Sequence, residues 1–192
     1  MKGWGIGRSP TAFRRWQSYN LSSATLEPPH MILPFALLAL TLAPQAADTT
    51  TPPSTVQVKL TAEGIGVQIY SCVQQDGKFQ WKFQEPQATL FDRTTHQPVG
   101  THSAGPTWTW NDGSAITGKV VQSQPSAGSV AWLLLDATPS GSTIGALTGV
   151  TMVRRSNTQG GAAPATGCDA QNVDVTIKVP YQATYTFYEP AH

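Results

Sequence analysis

His102 and Asp112 are the side chains of this sequence whose types and setting most suggest chemistry. They fall in Gly100–Gly118, read GTHSAGPTWTWNDGSAITG, on either side of Trp108 and Trp110. A histidine held by a carboxylate acts as a general base or a metal ligand. The Gly105-Pro106 corner and the Asn111-Asp112-Gly113 turn have the composition to bring the two to one sheet edge. The plainer reading is that His102 caps a loop and Asp112 supplies turn chemistry, because Asn-Asp-Gly needs no other reason to exist. Adding His96 and Asp92 gives a nitrogen and oxygen donor set suited to zinc or copper. The spacing matches no metal motif and His96 sits in a turn of its own, so the sequence calls for no cofactor. Ser71, Ser103 and Ser114 lie outside any Gly-x-Ser-x-Gly elbow, and no pair of acids selects itself for glycoside hydrolysis.

Trp108 and Trp110 carry a second possibility. Strand side chains alternate, so both indoles share one face and Thr107 and Thr109 the other. On an open face they form a platform on which sugar rings stack; on a closed face they are core. Trp108, Trp110 and Asp112 are accordingly the candidate ligand-binding residues. Trp81 and Trp132 add to the expectation of an aromatic core.

The elements that must position these residues are strands. Val56–Leu60 alternates, Gly64-Ile65-Gly66 reads as a break, and Val67–Val73 resumes. Asp76-Gly77 marks a hairpin turn, after which Phe79, Trp81 and Phe83 share one face of Lys78–Gln84. Ala88–Phe91, Thr107–Trp110, Ala115–Gln122 and the apolar Val130–Ala137 follow as strands. Ile144–Arg154 reads as a bent strand because of Gly145 and Gly149, and Asn157–Gly167 as a flexible loop. Val173–Val179 and Ala183–Tyr188 flank a bend at Pro180. About ten short strands without a helix imply an all-β fold, an antiparallel β-sandwich or partly closed barrel.

Composition bounds the rest. A charged fraction of 12% with 40% hydrophobic residues fits a packed globular body. After position 46 there are eight basic and ten acidic residues, a net charge near −2. No basic stripe is left to neutralise phosphates, which argues against nucleic acid as a partner. Residues 1–46 read as a leader whose apolar core, Ile32–Leu42, is too short to span a bilayer and suits a signal peptide. Met31 is a second candidate start. Residues 47–55 read as a flexible linker and 56–190 as one β-rich domain, secreted to an extracellular or periplasmic space, with no membrane span after cleavage. In that compartment the two cysteines, Cys72 and Cys168, are expected to pair. Closing so long a loop stabilises by about 4–5 kcal/mol in the chain-entropy model.

Four segments occur together in this order: GVQIYSC at Gly66–Cys72, the Trp81 strand, GTHSAGPTWTWNDGS at Gly100–Ser114 and VPYQATYTFY at Val179–Tyr188. Jointly they resemble a family of secreted bacterial and fungal proteins catalogued only as a domain of unknown function, over roughly Thr55 to Glu189. The resemblance implies a single secreted β-rich domain and no activity to carry over. Some fungal members bear a dehydrogenase-type name, but a dinucleotide site needs Gly-x-Gly-x-x-Gly between a strand and a helix. Here Gly64-Ile65-Gly66 continues into the strand residues Val67, Gln68 and Ile69. The reading that results is a non-catalytic module binding a glycan, a cell-envelope component or a protein through Trp108–Gly113. Its rival is a small extracellular enzyme, hydrolytic or metal-assisted, using His102 and Asp112.

Overall fold

Apolar residues that recur at every second position bury one face of an extended chain, and Gly, Pro and Asp turns separate such stretches. In the computed structural model, which describes residues 47–192, this pattern produces eight strands. They are β1 (Val56–Gln75), β2 (Lys78–Asp92), β3 (Pro98–Ser103), β4 (Thr107–Trp110), β5 (Ala115–Ser126), β6 (Ser129–Pro139), β7 (Met152–Gly160) and β8 (Thr176–Pro190). Each pairs antiparallel with its chain neighbour, and β8 pairs back onto β1, closing the sheet into a barrel. Closure leaves no unpaired strand edge. The leader, its apolar core and Met31 lie outside the described residues. Among the described residues no helix is long and apolar enough to cross a membrane.

The all-β expectation holds and resolves to the barrel; the strand count falls from about ten to eight. Three expected breaks are absent, one of them the bend at Pro180, through which β8 runs as a single strand that starts at Thr176. β1 runs for 20 residues straight through Gly64-Ile65-Gly66, because these glycines serve close packing and do not end the strand. A Cβ at Gly64 would stand 2.5 Å from the Tyr185 ring, and one at Gly118 would stand 2.8 Å from Trp108. The wall is thinned where large rings project inward. β2 likewise continues through Pro86, and a bulge between Ile69 and Tyr70 absorbs the mismatch with β1. Asp76 and Gly77 both have positive φ, as the hairpin turn between β1 and β2 requires.

Inward-facing Ala62, Leu90, Trp108, Ile116, Leu135, Val153, Tyr185 and Phe187 form the core. The two ends of the barrel differ. One end gathers the β2–β3 and β4–β5 turns and the β6–β7 loop. That loop carries the Gly145–Val150 stretch expected as strand, but two successive turns close there, Thr148 N to Gly145 O and Val150 N to Leu147 O. They fold Leu147 and Val150 into the core as a plug. The other end gathers the β1–β2, β3–β4 and β5–β6 hairpins and the β7–β8 loop, residues 161–175. Here the Cys72–Cys168 disulfide, Cα atoms 5.3 Å apart, ties the β1–β2 hairpin to that loop. Cys72 N and O bond Val175 O and Asp174 N, both at 2.9 Å, and Trp81 Nε1 donates to Thr166 O at 2.9 Å. The expected flexible loop, Asn157–Gly167, is strand β7 as far as Gly160 and is held at Thr166.

Residues 48–50 lie on the outer wall beside Arg154. Asp48 pairs with Arg154, Thr50 Oγ1 accepts from Arg154 Nε at 3.2 Å, and Thr50 is fully buried. Arg154 also lies over Trp132, 5.5 Å from the ring centroid. Its cross-strand neighbour Leu134 is buried although it faces outward. Residues 48–50 of the expected linker are thus held by named contacts, and the β6 apolar run is covered on both faces.

Candidate functional site

The expected site residues separate to the two ends of the barrel. His102 pairs across strands with Trp108, and Thr101 with Thr109. Asp112 lies beyond Trp110 in the β4–β5 turn, roughly 13 Å of extended chain from Trp108. His102 and Asp112 therefore form no dyad. Asp112 Oδ1 accepts from Ser114 N at 2.9 Å and from Ser114 Oγ at 2.6 Å, and Oδ2 accepts from Ala146 N at 2.7 Å. These bonds, the Ser114 hydroxyl foremost, hold its carboxyl below the usual carboxylate range. Ser114 Oγ in turn accepts from Leu147 N at 3.1 Å. The Asn-Asp-Gly-Ser turn is the clasp of the plug. Gly145 lies so close beneath it that a Cβ there would stand 2.4 Å from the Asp112 carboxylate.

Asp92 and His96 occupy the β2–β3 turn at this same end. Asp92 Oδ1 accepts from Thr94 N at 2.9 Å and from Thr95 N at 2.7 Å, and the Thr95 amide leads in lowering its pKa. His96 adopts φ 56°, consistent with its expected turn. Among the described residues no group of three or more His, Cys, Asp or Glu side chains is placed to hold a metal ion. The four-residue donor set does not assemble, because its histidines are at opposite ends.

Trp108 and Trp110 share a face as expected, and that face is the barrel interior. Trp108 is 1% exposed, and Trp110 packs edge-on to Phe187 with centroids 5.8 Å apart. An open stacking platform is therefore not formed. The His102 imidazole lies parallel to the Trp108 indole, centroids 4.6 Å apart and planes 8° apart, and Tyr185 closes against both rings at 5.0 and 5.8 Å. His102 Nδ1 is 3.0 Å from Thr107 O. A carbonyl only accepts, so Nδ1 carries the proton and Nε2 is left as the acceptor. Burial pushes the imidazole down to about 4, with Arg155 adding to the shift and the Thr107 carbonyl opposing it. His102 is neutral at physiological pH.

Toward the open end the interior widens into a cavity of about 480 Å³. Its wall is mainly apolar, with Tyr70, Phe83, Val130 and Leu133 among its members, and its polar members are Gln68, Gln84, His102 and Arg155. Among the described residues no carboxylate lines it. The hydroxyls around it are engaged: Tyr70 donates to Gly161 O at 2.7 Å, and the Tyr181 and Tyr185 oxygens are 3.2 Å apart. Burial raises the pKa of both Tyr181 and Tyr185, which stay protonated. Gln68 is 2% exposed, and its Nε2 has no protein partner among the described residues.

The Arg154-Arg155 doublet puts one guanidinium on each side of the wall. Arg155 follows Val153 on the inward face, and its Nε donates to Ala131 O at 3.0 Å. Among the described residues the ion pairs are Lys59–Glu189 and Asp48–Arg154, so the inward arginine has no acid partner. Its charge reaches the rings around it. It opposes the effect of burial on Tyr70, Tyr181 and Tyr185 and reinforces it on His102.

The family described as "Protein of unknown function (DUF3455)" matches residues 52–189. The chain belongs to that family. The match bears out the family resemblance read from the sequence, and it assigns no activity. No curated protein and no solved structure matches the chain.

Sequence reasoning passed over Gln68 and Arg155, the two polar residues that distinguish the cavity. The signal was there for Gln68, at the inward phase of an otherwise apolar and small-residue alternation in β1, where an unpartnered polar group is costly; Arg155 follows Val153 at the inward phase of a mostly polar β7. Finding it required the exact phase of β1 and β7. The expected break in β1 and the expected strand at Ile144–Arg154 obscured that phase.

Proposed function

We propose that this protein is a secreted, non-catalytic carrier or receptor that binds a small, largely apolar molecule inside the open end of its barrel. The observation that carries the reading is the cavity of about 480 Å³, which has an apolar wall and a few convergent polar groups. That size and lining are those of small-molecule sites, and mouths of β-barrels are where such sites recur. The rim is fixed in advance by the disulfide between Cys72 and Cys168, which lowers the ordering cost of binding. Secretion is supported by the apolar Ile32–Leu42 run ahead of small residues and by the closed disulfide. Among the described residues no carboxylate lines the cavity and no acid stands beside His102, which favours binding over hydrolysis by the His102 and Asp112 pair.

The test is titration with a neutral apolar dye such as Nile red. The expected result is saturable fluorescence enhancement at one dye per chain, abolished by Ala162→Trp, which fills the cavity from the β7–β8 loop. Enhancement that is absent, or unchanged by that substitution, would refute the reading.

A further inference from the structure

The cavity's remaining polarity leans toward donors, with His102 Nε2 the acceptor beside them. Tyr70 has spent its proton on Gly161 O, the Tyr181 and Tyr185 hydroxyls bond each other, and His102 has given its Nδ1 proton to Thr107 O. What is left over to donate is the Gln68 Nε2 amide and the part of the Arg155 guanidinium not engaged by Ala131 O, at Nε, and by the Tyr185 hydroxyl. Tyr181 is near both, since the Arg155 charge acts on its phenol and the Gln68 side chain faces its hydroxyl. An arginine keeps its charge at any physiological pH. A guanidinium on an apolar wall with no acid in reach is costly until an anion joins it.

From these donors we infer that the ligand is an amphipathic monocarboxylate. Its head group lies on Arg155 and Gln68, and its apolar body runs along Val130, Leu133 and Phe83 toward the mouth. A carboxylate is acceptor-only and matches a guanidinium fork in two parallel bonds, with a lone pair left for the Gln68 amide. One inward cation offsets one negative charge, which selects a monoanion over a phosphate dianion. At about 30 Å³ per non-hydrogen atom the cavity holds roughly fifteen such atoms, the size of a medium-chain acid. This inference rests on the binding function proposed above and adds the chemical class of the ligand.

Displacement of bound Nile red by decanoate and by 1-decanol separates the two claims, because acid and alcohol share one chain. Decanoate is expected to displace the dye about ten- to a hundredfold more tightly than 1-decanol. Arg155→Met should bring decanoate to the level of the alcohol while leaving dye affinity within about twofold. Gln68→Leu should weaken decanoate by a smaller factor in the same direction. Equal displacement by acid and alcohol from the unsubstituted protein overturns the carboxylate inference and leaves the cavity reading standing, and that comparison needs no variant to fold. Preference for decanoate that survives Arg155→Met overturns the assignment to Arg155. A protein that binds no Nile red overturns both the inference and the binding function.

Discussion

The two ends of the barrel use the same kinds of residue for opposite purposes. At the closed end, Asp112 and Ser114 spend their side chains on the neighbouring backbone. Together they satisfy the amides of Ser114, Ala146 and Leu147, and the loop they hold drops Leu147 and Val150 into the core. At the open end, Gln68 Nε2 is buried without a partner and Arg155 has no acid among the described residues. Buried polar groups are normally paired, and each exception calls for an explanation. The difference teaches where to look for function: the closed end accounts for its own chemistry, and the open end is completed by something from outside.

This contrast predicts that substitutions at the closed end cost stability and spare binding. The largest effect is expected from Leu147→Ala, which empties part of the plug at a side chain 2% exposed. The loss should be about 2–5 kcal/mol in urea unfolding, with dye affinity of the folded protein unchanged. If affinity falls too, the ends are coupled and the contrast breaks.

His102, one residue from the open-end terminus of β3, sharpens the contrast through pH. Its folded value of about 4 lies below the ordinary 6.5 because the ring is buried. Between those values the unfolded chain takes up a proton that the folded chain refuses, so stability falls as pH drops from 6.5 to 4 and the loss levels off below. The loss is about 3 kcal/mol. Asp48, Asp92, Asp112 and Glu189, whose carboxyls are held below their usual range, add their losses from about pH 5 downward and so overlap only the acid end of that window. Unfolding measured from pH 7 to pH 4 should show the slope in the unsubstituted protein and flatten in His102→Phe. A slope that persists in the variant would place its origin elsewhere.

The smallest of the three effects belongs to the clasp. Ser114→Ala deprives Leu147 N of its acceptor and Asp112 of one donor, a cost of about 1–3 kcal/mol. Hydrogen exchange should reach the Leu147 amide sooner while the amides of β1 stay protected. Equal acceleration in β1 would show that the plug does not open as a local unit.

Strand type and the pairing of Cys72 with Cys168 were legible because alternation and compartment are local signals. Closure into a barrel was not, since a sandwich and a barrel share that alternation, and only the β1–β8 register separates them. The glycines misled at Gly64 and Gly66, where a missing Cβ makes room for Tyr185 and Ala88 and does not mark a turn. At Gly149, with φ 78°, the glycine does mark a turn, and the expected strand gave way to the plug. Within the opening motif the sequence brought His102 and Asp112 under suspicion by proximity along the chain, whereas a four-residue β4 carries them to opposite ends. Arg155 was hidden for a related reason. Which member of an arginine doublet faces inward depends on register, and register depends on partners far away in sequence.

The most direct test of the account is a backbone-amide NMR titration of the protein with decanoate. The account predicts saturating shifts at Gln68, Tyr70, Ala131, Arg155 and Ala162, with the Gly145–Val150 plug silent. Shifts centred on the plug or the outer wall, or none at all, would contradict it.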